Sequence, residues 1–120
     1  MASLTKIAGK HILLVEDEYL IAQDIARSMV NAGAEVIGPA AAVQDALRLI
    51  LGAPVLDGAV LDINLKGEMV YPVADALSTR GIPFVFATGY GQEAVPVRYG
   101  QVTRCEKPFS ARQIAEALFG

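Results

Sequence analysis

Apolar residues along this chain alternate between two patterns. His11–Val15, residues 59–65 and residues 83–88 are continuous aliphatic, β-branched or aromatic runs bounded by charge or turn residues. Runs of that length and continuity suit strands buried on both faces. Between them the apolar positions recur at helical spacing. Ile21, Ile25, Met29 and Ala32 mark one face of a helix over residues 18–32, with Asp17 or Glu18 at its positive end and Gly33 placed as a C-terminal cap. Ala46, Leu47 and Ile50 mark another over residues 43–51, which Gly52 and Pro54 end. Residues 35–38 read as a brief second strand stopped by Pro39, and the third strand carries Asp62 at or near its carboxyl end. A loop at 66–68 leads to a helix over 72–79, with Pro72 tolerated in its first turn and Gly81 closing it. After the fourth strand, residues 89–91 form a turn, and Pro96 leaves 92–100 a short or irregular helix. Residues 101–106 make a polar fifth strand. Ser110 and Gln113 have the spacing of a capping box for a last helix whose core face is Ile114, Leu118 and Phe119.

Strands alternating with helices require right-handed crossovers and a parallel sheet covered on both sides. The fold class is therefore α/β, a flavodoxin-like (βα)5 doubly wound parallel sheet. The apolar first, third and fourth strands belong in the centre and the short second and polar fifth at the edges, which gives the order 2-1-3-4-5. The chain reverses across the sheet between the first and third strands, so the ligand crevice opens beyond their carboxyl ends. Glu16, Asp17 and Asp62 are there, and Lys107 follows the fifth strand.

Composition narrows the function. The 120 residues have the length of one domain, residues 11–120, behind a short flexible lead-in over 1–10. Hydrophobic residues make up 53% of the chain and the mean hydropathy is +0.41. No apolar run reaches the ~18 residues of a membrane span, and residues 1–10 hold no block long enough for a signal peptide. A cytoplasmic protein without a membrane partner is expected. The single cysteine, Cys105, excludes an internal disulfide and reads as a small core residue. A net charge of -3 and a pI near 5.0 offer no basic footprint for direct nucleic-acid binding.

Each charged residue has a plain structural explanation when taken alone. Glu16 and Asp17 could act on a helix dipole, Asp62 could cap a helix, and Lys107 could be a solvated surface charge. Together they form a constellation with chemistry. Converging carboxylates repel one another unless a divalent cation and an ammonium offset them, and oxygen ligands of this kind suit magnesium. Asp62 could then act as a nucleophile toward phosphorus, with Lys107 neutralising the added oxygens and the Thr88 hydroxyl bonding one of them.

Four motifs carry a resemblance: Val15-Glu16-Asp17, Leu61-Asp62-Ile63-Asn64-Leu65, Ala87-Thr88-Gly89 and Lys107-Pro108-Phe109. From about His11 to Phe119 the chain resembles a response regulator receiver domain. The resemblance implies phosphoryl transfer from a histidine kinase or histidine phosphotransfer protein to Asp62, by a signalling domain that catalyses its own phosphotransfer and dephosphorylation without being an enzyme in the ordinary sense. It implies magnesium held by Asp17, Asp62 and the Asn64 carbonyl, and by Glu16 through water. Lys107 would contact the phosphoryl group, the Lys107-Pro108 bond would be cis, Thr88 would carry the signal, and an unidentified downstream protein would read it. Tyr90 and Asn64 would flank the path of the hydrolytic water, and residues 89–104 would form a loosely held output surface. Lys66 and Arg104 occupy positions where many members have proline and an aromatic residue. Phe86-Ala87-Thr88-Gly89 is similar to a subgroup signature in which that aromatic is also missing, although Gly91 stands where the subgroup usually has tyrosine. Two other readings use the same crevice: a small flavodoxin-like enzyme or nucleotide-binding protein, and an unphosphorylated interaction module. The chain lacks a Walker loop, a G-x-G-x-x-G turn and a second aspartate two residues past Asp62.

Overall fold

The computed structural model describes residues 6–89 and 95–120. In chain order it contains β1 (His11–Val15), α1 (Tyr19–Asn31), β2 (Glu35–Ala40), α2 (Val43–Gly52), β3 (Gly58–Asp62), a hairpin of β4 (Asn64–Leu65) and β5 (Glu68–Met69), α3 (Tyr71–Thr79), β6 (Phe84–Thr88), a 3-10 turn (Val97–Tyr99), β7 (Arg104–Glu106) and α4 (Ala111–Phe119). The five long-range strands are all parallel, in the order β2-β1-β3-β6-β7. This is the flavodoxin-like order expected from the hydrophobic pattern. The three central strands are buried almost throughout, so the sheet separates two apolar layers. Leu13, Leu61 and Phe86 face α2 and α3, while Ile12, Leu14 and Val60 face α1 and α4. Burying a large aliphatic or aromatic side chain of this kind stabilises the fold by roughly 1.5–3 kcal/mol.

Two helix ends are built as their sequences predict. Gly33, at φ +95°, follows the last turn of α1, and Ser110 and Gln113 form both halves of the capping box on α4. Cys105 is buried, and burial pushes its thiol up from the ordinary value.

Four details differ from the sequence reading. Strand β2 does not stop at Pro39 but continues to Ala40, through a cis Gly38-Pro39 bond and a shift in register against β1. As an edge strand it can carry a residue without an N–H. Gly38 makes the passage possible: its φ is +106°, and a Cβ there would lie 2.7 Å from the Leu14 carbonyl oxygen. Residues 64–69, read partly as loop, form the β4–β5 hairpin, with Lys66 (φ 52°) and Gly67 (φ 95°) as its two turn residues. Positive φ at both positions is the geometry of a type I′ turn. The hairpin also serves α2, whose N-cap residue Ala42 provides no side-chain bond; the Val43 N–H donates to Glu68 Oε1 at 3.4 Å instead.

The stretch read as a flexible lead-in is packed from Lys6 onward. Ile7 is fully buried against the α1 and α4 layer, the Gly9 N–H donates to the Gly33 carbonyl at 2.8 Å, and Lys6 Nζ donates to the Gly120 carbonyl at 2.9 Å. The fifth strand is shorter than the 101–106 expected, and the segment before it is better held. Tyr99 is buried against Phe84 and Phe86, stacks on Tyr71, and its hydroxyl donates to Asp75 of α3. Arg98 adds a two-pronged contact to the same carboxylate at 3.1 and 3.2 Å. Those hydrogen bonds, from Tyr99 and then Arg98, hold the Asp75 carboxyl below its usual range. The expected turn around Tyr90, and the role of its ring, lie outside the described residues.

Candidate functional site

Strand register brings the charged residues together. Val15 lies opposite Leu61, which puts Glu16 and Asp62 at adjacent strand ends, and Asp62 lies opposite Ala87, one residue before Thr88. Thr88 lies opposite Glu106 in β7, and its carbonyl accepts the Lys107 N–H at 2.8 Å. The chain leaving β7 therefore carries Lys107 back across the carboxyl ends of the sheet. The Lys107-Pro108 bond that follows is cis, as the resemblance implied.

The plain structural explanations fail for most of these residues. Glu16 is 2% exposed, and its Oε2 accepts the Glu18 N–H at the start of α1, at 3.2 Å. That is a capping contact, but the other oxygen, Oε1, lies 2.6 Å from Lys107 Nζ. Lys107 is no solvated surface charge either, since only 14% of its side chain is exposed. Asp62 caps nothing, because α3 begins nine residues later at Tyr71. Instead its Oδ2 lies 3.6 Å from the same ammonium.

Glu16, Asp17 and Asp62 each place a carboxylate oxygen within 4.8 Å of the others. One ammonium cannot offset that much negative charge. Burial first, and then the Glu16 charge, push the Asp62 carboxyl from 3.8 up to about 7, with Lys107 acting in the opposite direction. Burial alone would lower the Lys107 ammonium, yet its hydrogen bond to Glu16 and the Asp62 charge raise it on balance.

The sign of the resulting pH dependence follows. Asp62 holds its proton more tightly in the native state than in the unfolded chain, so stability from this group is fully present below about pH 4 and drains away as pH rises toward about 7. In metal-free solution, urea unfolding at pH 5, 6, 7 and 8 is expected to show native stability declining across that interval. Asp62→Asn should flatten the decline, and an identical slope in the variant would assign it to another group.

The cavity at this end of the sheet has a volume of about 320 Å³ and is lined by Asp17, Glu18, Asp62, Asn64, Lys66, Gly67, Gly89 and Lys107. Thr88 is not in its wall. It is 8% exposed, at the carboxyl end of β6, next in the chain to Ala87, which lies opposite Asp62. Asn64 reaches the cavity while its side-chain Oδ1 accepts the Gly67 N–H at 2.6 Å, which braces the hairpin turn. Sequence reasoning placed the acids and Lys107 but gave Lys66 and Glu18 no part in the site. The unbroken acidic run Glu16-Asp17-Glu18 and the Lys66-Gly67 pair after the third strand were the available signals.

No family model matches the chain. It is 39% identical to SdrG from Sphingomonas melonis Fr1, whose solution structure superposes with a TM-score of 0.80 over 92% of this chain and 93% of that one. The BeF3-activated conformation of SdrG from Pseudomonas melonis Fr1 is 38% identical, with a TM-score of 0.75 over 92% of this chain and 94% of that one. The transcriptional regulatory protein PdtaR of Mycobacterium tuberculosis is 28% identical over an alignment of 114 residues that covers 91% of this chain and 55% of that protein. The chain thus spans about half the length of the curated relatives it matches. A response regulator receiver protein from Sinorhizobium medicae WSM419 shares the fold, with 22% identity and a TM-score of 0.73 over 92% of this chain and 91% of that one.

Proposed function

The chain belongs to the response regulator receiver domains, and from that premise we propose that it accepts a phosphoryl group from a phosphohistidine donor onto Asp62 in two-component signalling. The observation that carries this reading is the Asp62 carboxyl itself, in the wall of a cavity, 3.6 Å from a mostly buried ammonium and crowded by two further carboxylates. In the transfer, one Asp62 oxygen attacks phosphorus. The bond from phosphorus to the donor imidazole breaks, and the electron pair leaves with the imidazole. Lys107 would neutralise charge on the transferred oxygens, as a preplaced cation does wherever charge gathers in a transition state.

The donor set fits magnesium. Glu16, Asp17 and Asp62 are hard oxygen ligands and would hold it together with the Asn64 carbonyl, which supplies a neutral ligand. When bound, the ion supplies positive charge to the phosphoryl oxygens. A carboxyl raised first by burial and then by the Glu16 charge, as Asp62 is, should be stabilised in its charged form by a divalent cation, and the cluster with it. Native-state binding at a hundred times the dissociation constant adds roughly 2.7 kcal/mol, so millimolar magnesium is expected to raise the melting temperature by several degrees. A melting curve unmoved by magnesium, in protein that still becomes phosphorylated, would count against this ligand set.

The donor is proposed to be a histidine kinase or histidine phosphotransfer protein, and the acceptor of the signal a downstream protein. With Arg104 exposed at the start of β7, readout cannot run through an aromatic ring at that position. Thr88 and the backbone around it would bond the phosphoryl group and shift the 95–104 segment. No helix among the described residues is long and apolar enough to cross a membrane. Incubation with acetyl phosphate and magnesium, followed by intact mass measurement, tests the central step. One added phosphoryl group is expected, and an unchanged mass would remove the functional reading.

A further inference from the structure

Lys66 is the one non-glycine residue with positive φ among the described residues, at 52°, and it stands in the wall of the Asp62 cavity. A type I′ turn normally takes asparagine or glycine there, because a Cβ is disfavoured in the left-handed region. Nothing about hairpin geometry calls for lysine. Its charge is also uncommitted: Lys66 makes no ion pair among the described residues, whereas Lys107, the other ammonium of the cavity, already has Glu16 at 2.6 Å. The turn itself is rigidly placed, since Asn64 Oδ1 accepts the Gly67 N–H at 2.6 Å and the Val70 N–H donates to the Ile63 carbonyl at 2.9 Å.

We propose that Lys66 is a phosphodonor-binding residue, the second cation of the site, which draws the anionic phosphoryl group of the donor to the mouth of an otherwise acidic cavity. This rests on the phosphoacceptor reading of Asp62. An incoming phosphoryl group meets Asp17, Glu18 and Asp62 in the cavity wall before any transfer occurs, and like-charge repulsion slows its approach. A free ammonium on the rim offsets that repulsion. The same ammonium opposes a divalent cation in the same cavity. Loss of the Lys66 charge therefore has two opposite effects, slower phosphorylation and tighter magnesium binding, which a residue serving only the turn would not produce.

The test uses Lys66→Asn, which suits the left-handed position and removes the charge, and Lys66→Arg, which keeps the charge. Phosphorylation by subsaturating acetyl phosphate is followed by intact mass at saturating magnesium and low salt, and magnesium affinity is measured separately by calorimetry. One unit charge acting across such a cavity corresponds to about a three- to tenfold change in each quantity. Lys66→Asn is expected to slow phosphorylation and lower the magnesium dissociation constant by that factor, with both effects shrinking as salt is raised. Lys66→Arg should stay close to the parent. An unchanged rate in Lys66→Asn, or an equal loss in Lys66→Arg, would overturn the role of the charge. Failure of the parent protein to take up phosphate would instead overturn the phosphoacceptor reading beneath it.

Discussion

Asp62→Asn is expected to leave the mass of the protein unchanged after incubation with acetyl phosphate and magnesium, where the parent chain gains one phosphoryl group. Asparagine keeps the shape of the side chain at the end of β3 but offers an amide in place of a nucleophilic carboxylate. The same substitution removes a carboxyl whose pKa is raised to about 7 by burial and by Glu16, so it should also stabilise the metal-free protein at pH 8. A gain of about 1–3 kcal/mol fits a shift of this direction and size, after discounting for solvent access. The two results separate chemistry from folding. Full phosphorylation of Asp62→Asn would move the acceptor elsewhere, whereas lost phosphorylation in a destabilised variant would leave the chemistry undecided and the electrostatic account wrong.

Lys107→Met should have the second large effect, because it breaks a pair that is almost wholly buried. The Glu16 side chain is 1% exposed and depends on Lys107 at 2.6 Å for its countercharge. Removing one partner of a buried pair typically costs about 3–5 kcal/mol, so a destabilisation of about 2–4 kcal/mol is expected here, where 14% of the lysine side chain still meets solvent. Phosphorylation should slow by about a hundredfold or more, the effect of removing a preplaced charge-stabilising group. Combining Lys107→Met with Glu16→Gln distinguishes the two roles. The double variant should recover most of the stability, since no buried carboxylate is left unpaired, yet remain slow to phosphorylate. Recovery of both would make Lys107 a structural counterion alone.

The acidic end of the sheet was legible in the sequence because a buried parallel strand is a continuous apolar run, and the charge that ends the run marks the sheet's carboxyl edge. Once the runs at 11–15, 59–65 and 83–88 are ordered, Glu16, Asp17 and Asp62 have to converge. The capping box at Ser110 was legible for the same local reason. What escaped was held by contacts far apart in sequence or too short to show a period. The β4–β5 hairpin pairs two residues with two, and no alternation can be read from that. Ile7 stands in a stretch too short to show a period, and only the packed layer beneath α1 and α4 explains its burial. Tyr99 and Asp75 are 24 residues apart, so the anchor that holds the 3-10 turn to α3 was invisible to any local pattern.

The outer strands of the sheet are poor templates for a further strand. At one border, β2 carries Pro39, which has no N–H to offer, beside a residue whose left-handed backbone turns the strand out of line. At the other, β7 is three residues long, and its two exposed positions are the charged Arg104 and Glu106. Neither border presents the long, flat row of free amides and carbonyls that recruits a further chain. Despite a composition that is 53% hydrophobic, the native domain is thereby guarded against edge-to-edge polymerisation.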